Sequence, residues 1–270
     1  MTANEAPVTT AVTTAMEGGV LRLTLNAPSA RNSLSFAMIE ALRAALRDAD
    51  ADRAVRVIVI AAAGHVFSAG HDLKEMDAAR AAEDGGRGAF IRLFEACGQL
   101  MQEVVNHRCP VIAEVAGVAT AAGCQLVASC DLAVAGKAAR FATPGVRIGL
   151  FCSTPMVALT RNLSAKHAME MLLTGDLIDA ARAAEIGLVN RVVDDAALTA
   201  ETMAFAAQIA GRSQLTVGIG KRAFYAQREM PLAEAYAYAS TVMAENMMAA
   251  DACEGIGAFI AKRDPVWRDQ

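Results

Sequence analysis

The 270-residue chain has no block of Lys or Arg, and its net charge is −4. A protein that grips a phosphate backbone needs a basic face, so nucleic acid is excluded as a partner. No run reaches the ~18 apolar residues of a membrane span. Residues 1–14 hold neither an apolar signal core nor an Arg-rich amphipathic stretch, and on that ground a cytoplasmic protein is expected. The six cysteines, Cys97, Cys109, Cys124, Cys130, Cys152 and Cys253, form no CxxC pair, and several sit in apolar runs. They read as reduced thiols without a zinc site. His, Cys and acidic residues do not cluster along the chain, so no metal is expected.

What the chain does have is apolar bulk. Apolar residues make up 54% against 20% charged, enough for one large core and a buried subunit face. Much of the bulk is alanine, which favours helix. Residues 1–10 are polar and read as a loose arm. The runs 12–16 and 20–25 flank Glu17-Gly-Gly19, a hairpin signal. Ser35 suits the N-cap of a helix over 36–49, where Met38, Leu42, Ala45 and Leu46 fall at helical spacing. A buried strand over 55–61 follows, and strand–helix–strand points to a partly parallel sheet. Residues 77–88 turn polar at 83–86 (EDGG) and are expected to form a mobile segment. A helix over 89–107 and a strand over 111–115 come next. Beyond 149 the pattern is mostly helical, with helices over 155–163, 165–173, 180–186, 198–211, 214–228, 232–248 and 252–262. No internal repeat stands out.

The stretch that carries chemistry is 117–149. Residues 117–123 (GVATAAG) are small and lead into an apolar run. A small-residue loop entering a helix leaves free N–H groups at the helix start, which suit a developing negative charge. The charge expected is an oxyanion. Upstream, residues 68–70 (SAG) can bend sharply because Gly70 tolerates positive φ, and the amide of His71 then becomes a second donor.

Residues 67–73 (FSAGHDL), 117–131 and 141–149, with 26–34 (NAPSARNSL) and 180–190 (AARAAEIGLVN), resemble the crotonase (enoyl-CoA hydratase/isomerase) family. The likeness covers roughly residues 15–265, and 121–131 (AAGCQLVASCD) with 150–155 (LFCSTP) is similar to one branch of it. The resemblance implies an α/β fold, a spiral of ββα units over 11–200 with a helical trimerisation part over 201–270. It implies a homotrimer or dimer of trimers acting on acyl-CoA thioesters of lipid metabolism, with coenzyme A as part of the substrate and no separate cofactor. It assigns the oxyanion amides to His71 and Ala122, the latter in a loop where the family has glycine. It places coenzyme A contacts, mostly through backbone, at Ala30, Arg31, Ser68, Gly70, Asp72 and Leu73. Arg31 would meet a phosphate, with Lys221, Arg222, Lys262 and Arg263 as further phosphate contacts.

Against the family pattern, the two glutamates that hold water and work as acid and base fall on Gln125 and Gly145. The aspartate of related isomerases falls on Ser153. Ordinary hydration is therefore expected to be weak or absent. Three readings follow: an enoyl-CoA hydratase-like enzyme with an altered site, a decarboxylase of malonyl-type thioesters, or a non-catalytic acyl-CoA binder. The decarboxylase reading rests on His71, since a few decarboxylases of the family share the AGHD wording. The plainer alternative is that only the His71 amide matters and its ring packs sideways. Cys124, Cys152, Ser153, Thr143 and Asp72 are the other polar groups nearby, with Asp72 read as loop support. Asp131 is expected to be structural, Glu114 is assigned nothing, His107 reads as a helix end, and His65 and His167 as exposed.

Overall fold

A hairpin opens the described chain, residues 10–270 of this computed structural model. The arm expected over 1–10 lies outside the described residues except for Thr10. β1 (Val12–Glu17) and β2 (Val20–Leu25) pair antiparallel across Gly18 and Gly19, both at positive φ. Helix α1 (Phe36–Ala51) starts where Ser35 Oγ accepts the amide of Met38, as its capping role predicts. Strands β3 (Val57–Ala62) and β4 (Val66–Ser68) follow, then α2 (Leu73–Ala79) and α3 (Arg87–Asn106). The pattern repeats with β5 (Val111–Val115), β6 (Val118–Thr120) and α4 (Ala122–Ser129). It repeats again with β7 (Leu132–Gly136), β8 (Arg140–Ala142), α5 (Ser153–Asn162) and α6 (Ala165–Thr174). β9 (Ile178–Asp179), α7 (Ala180–Glu185) and β10 (Arg191–Val193) close it. The helices α8 (Leu198–Ala210), α9 (Gln214–Gln227), α10 (Leu232–Met247) and α11 (Ala250–Ala261) complete the chain.

Each turn sends one strand to each of two sheets. The larger runs β1-β2-β3-β5-β7-β10 and the smaller β4-β6-β8-β9. The expected ββα spiral is the observed fold. Strands β3 and β5 are buried on both faces, which is why they read as unbroken apolar runs. Ile58, Ile60, Val111 and Ala113 face α1 and α3 across the main core. Val57, Val59 and Ile112 face the other way, under Leu198, Ala206 and Ala210 of α8. The boundary expected at residue 200 thus falls inside a helix that covers the sheet.

Two expectations change. Glu114, assigned nothing from the sequence, is a paired carboxylate. It is 3% exposed, and its carboxylate accepts from Arg22 Nη2 at 2.6 Å and Thr199 Oγ1 at 2.9 Å. A strand with neighbours on both faces has no outward side, so a carboxylate on it must be paired. Lys221 is not free for a phosphate. It is buried, and its Nζ donates to Asp131 Oδ2 (2.7 Å), Cys109 O (3.0 Å) and Val104 O (3.1 Å). Asp131 also accepts from the Val111 amide and the Tyr225 hydroxyl, and so ties α9 to the strand ends. The polar turn after α2 is hydrogen-bonded within itself. The carboxylate of Asp84 accepts from the amides of Gly86 and Gly88 just before and inside the first turn of α3.

Candidate active site

Two loops meet where β4 and β6 end. Gly70 has φ 87°, and a Cβ there would sit 2.8 Å from Ala121 Cβ and 3.2 Å from Ala122 N. Only glycine allows both that backbone and that approach. The 30–34 turn is fastened to the same place. Ala69 N donates to Arg31 O at 3.1 Å, and Leu34 N to Gly70 O at 2.7 Å. Asn32, fully buried, accepts from Ala27 N and donates to Ala63 O and Val66 O. No site role was read for Asn32 from the sequence. Its left-handed φ of 48°, which asparagine tolerates, is the local reason for that residue type.

His71 N and Ala122 N donate to no acceptor among the described residues. Ala122 is buried at the first position of α4, where a helix leaves its N–H groups free. Two unspent donors therefore stand on facing loops. The helix is entered through Ala121 at φ 50°, ψ −119°, a conformation suited to glycine. Such a residue carries strain of about 1–3 kcal/mol. Ala121→Gly is expected to raise stability by about 1 kcal/mol after the entropy glycine adds to the unfolded chain. Denaturant unfolding checks this, and a loss of stability would mean that the alanine methyl does more for packing than it costs in strain.

The His71 ring is fixed. Its Nδ1 lies 3.1 Å from Leu34 O, which can only accept, so Nδ1 carries the proton. Nε2 is buried without a partner and presents a lone pair, and the ring tilts against Phe94 at 5.5 Å. Burial pushes the imidazole below its ordinary 6.5, and the ring is neutral at physiological pH.

Gln125, one turn into α4, is 3% exposed, and its Oε1 also lacks a partner. Gly145 is buried too. The space a side chain would need there is taken: a Cβ would meet Leu150 O at 2.7 Å and Cys152 Sγ at 2.9 Å. The Leu150 carbonyl and the Cys152 thiol thus close the space beside Gly145. Burial pushes the Cys152 thiol up and that of Cys124 up to about 12, so neither is an activated nucleophile. Thr143 is buried with its hydroxyl on Met171 O, and Ser153 is exposed.

The proposed coenzyme A residues divide by exposure. Ala30, Arg31 and Leu73 are exposed along one rim. Asp72 caps α2 through the amides of Lys74 and Glu75, in keeping with loop support. Ser68 is fully buried, and its Oγ accepts from Gly70 N, so its side chain shapes the loop.

The spiral of two sheets and the paired loops define a crotonase-type protein. The enoyl-CoA hydratase/isomerase family pattern matches residues 15–270, and the chain belongs to that family. Within it the chain is similar to enoyl-CoA hydratase domain-containing protein 3, mitochondrial. Identity is 48% with the human protein, over 92% of this chain and 80% of the relative. It is 49% with that of Xenopus laevis, over 93% and 84%. A crystal structure described as enoyl-CoA hydratase from Mycobacterium smegmatis superposes with TM-score 0.91 at 49% identity, covering 95% of this chain and 98% of that one. The human domain-containing protein 3 gives TM-score 0.90 at 45%, over 95% and 100%.

The relatives' names overturn the cytoplasmic expectation, since these proteins are described as mitochondrial. That expectation rested on a leader pattern missing from residues 1–14, and such a gap does not decide a compartment.

Proposed function

We propose that the protein binds acyl-CoA thioesters and polarises the thioester carbonyl between the amides of His71 and Ala122, with little or no power to hydrate an enoyl group. The observation that carries this reading is the pair of unspent amides on loops locked together at Gly70. A carbonyl oxygen there takes two hydrogen bonds, which strengthen as it becomes an oxyanion. Coenzyme A lies along the rim of Ala30, Arg31, Gly70, Asp72 and Leu73, with Arg31 toward a phosphate. A trimer or dimer of trimers forms through α10 and α11, which expose Leu232, Tyr236, Met243, Phe259 and Ile260. To test the carbonyl site, acetyl-CoA is compared with S-ethyl-CoA, which lacks the oxygen. Acetyl-CoA is expected to bind at least about tenfold more tightly, because the analogue leaves both amide donors unpaired. Equal affinity would contradict the reading.

His71 favours one specific reaction. In a malonyl-type thioester the bond between the α-carbon and the carboxylate breaks and CO₂ leaves. The electron pair moves into the thioester as an enolate, whose oxygen the amides hold. A water held at the neutral Nε2 then gives one proton to the α-carbon, and the hydroxide left combines with the released CO₂ as bicarbonate. No paired glutamates are needed. If malonyl-CoA is turned over, His71→Ala is expected to slow CO₂ release about 10²-fold. An unchanged rate would leave the ring without a role, and no saturable turnover of any thioester would leave a binder.

A further inference from the structure

A cavity of about 370 Å³ lies beyond Gln125, between α3, α4, α5 and α9. Its body is apolar, with Met101, Val105, Val157 and Ala158 on the walls. Gly98 opens it further, since a Cβ there would meet nothing within 4 Å. Several of its polar groups are already used inside the protein. Ser129 Oγ donates to Gln125 O, Asn162 Nδ2 to the carbonyls of Ala128 and Ala158, and the Tyr225 hydroxyl to Asp131. At the inner end Gln125, whose side-chain Oε1 lacks a partner, lies three residues along α4 from Ala122, a rise of about 4.5 Å. At the outer end stand Arg161 and Arg228. Arg228 is held by the carbonyl of Arg161 and lies over Phe224. Arg161 Nε already has a carboxylate near it, that of Glu229 at 3.6 Å, solvent-exposed and loosely held.

We infer that this cavity takes the distal part of the acyl group, and that its arginine rim selects a medium-length chain ending in a second carboxylate. The inference rests on the thioester reading, and it names the substrate class. An acyl chain whose carbonyl sits at Ala122 runs past Gln125 along α4, which is about 12 Å long, and reaches the rim at its far end. The apolar walls suit the methylenes. Both guanidiniums keep donors beyond their present contacts, and a terminal carboxylate takes the place Glu229 holds beside Arg161. A short acyl group leaves the cavity unused.

The test is calorimetric binding of acetyl-CoA, octanoyl-CoA and the ω-carboxy analogue of the same length. It uses the natural protein, Gly98→Leu and the double variant Arg161→Gln/Arg228→Gln. The natural protein is expected to prefer octanoyl-CoA to acetyl-CoA, and the ω-carboxy chain to octanoyl-CoA by about fivefold to tenfold. Gly98→Leu fills the cavity and should bring the long-chain to acetyl-CoA ratio toward one. The double variant should lose only the preference for the carboxylate. Equal binding of the two long chains by the natural protein, or a chain-length gain that survives Gly98→Leu, would overturn the inference alone. Failure of acetyl-CoA itself to bind would overturn the thioester reading, and the inference with it.

Discussion

Crotonyl-CoA is expected to be hydrated at least about 10⁴-fold more slowly by this protein than by a relative carrying both glutamates. Each positioned acid or base contributes about 10²–10⁴, and the proposed site offers neither at Gln125 nor at Gly145. Gln125 can hold a water but cannot take its proton, and Gly145 offers no side chain. Gln125→Glu should recover about 10²-fold, since the new carboxylate would face the same cavity as the present amide. Gly145→Glu should recover nothing. Its Cβ would collide with the Leu150 carbonyl oxygen at 2.7 Å and with Cys152 Sγ at 2.9 Å, and trimming Cys152 relieves only the second. The loss of enone absorbance measures all three proteins. Fast hydration by the natural protein would mean that another group moves the proton.

Lys221→Met is expected to cost about 3–5 kcal/mol, lowering the melting temperature by roughly 10 °C. The ammonium is buried and spends its three donors on Asp131, Val104 and Cys109. The methionine fills the volume but leaves the Asp131 carboxylate without a cation beside the Val111 amide and the Tyr225 hydroxyl. Tyr225 also lines the distal cavity, so the ion pair positions α9 against that cavity. Thermal and denaturant unfolding give the value. A loss below about 1 kcal/mol would show that water reaches the carboxylate and replaces the lysine.

The helices and the long buried strands were legible in the sequence because their apolar residues keep a period, or run unbroken where both faces are covered. The second sheet was not. β4, β6 and β8 are three residues each, too short for any period, and they read as loop. That is also why the threefold ββα repeat escaped notice: it lies in where strands go. Of the site, the loops at 68–71 and 117–123 were legible through small residues that permit close backbone approach. Glu114 and Lys221 were not, because their partners Arg22, Thr199 and Asp131 lie 85 or more residues away. The contact of Cys152 with Gly145 and the cavity between α3 and α9 likewise exist only once the spiral has closed.

The central claim is that His71 and Ala122 polarise a thioester carbonyl, and difference infrared spectroscopy tests it most directly. The ligand is acetyl-CoA labelled with ¹³C at the carbonyl, bound to the natural protein. Two hydrogen bonds from buried amides draw charge onto the oxygen, so the labelled band is expected at lower frequency than for the free thioester in water. A band at or above the solution frequency would show that the amides do not reach the carbonyl, and the account of the site would fall.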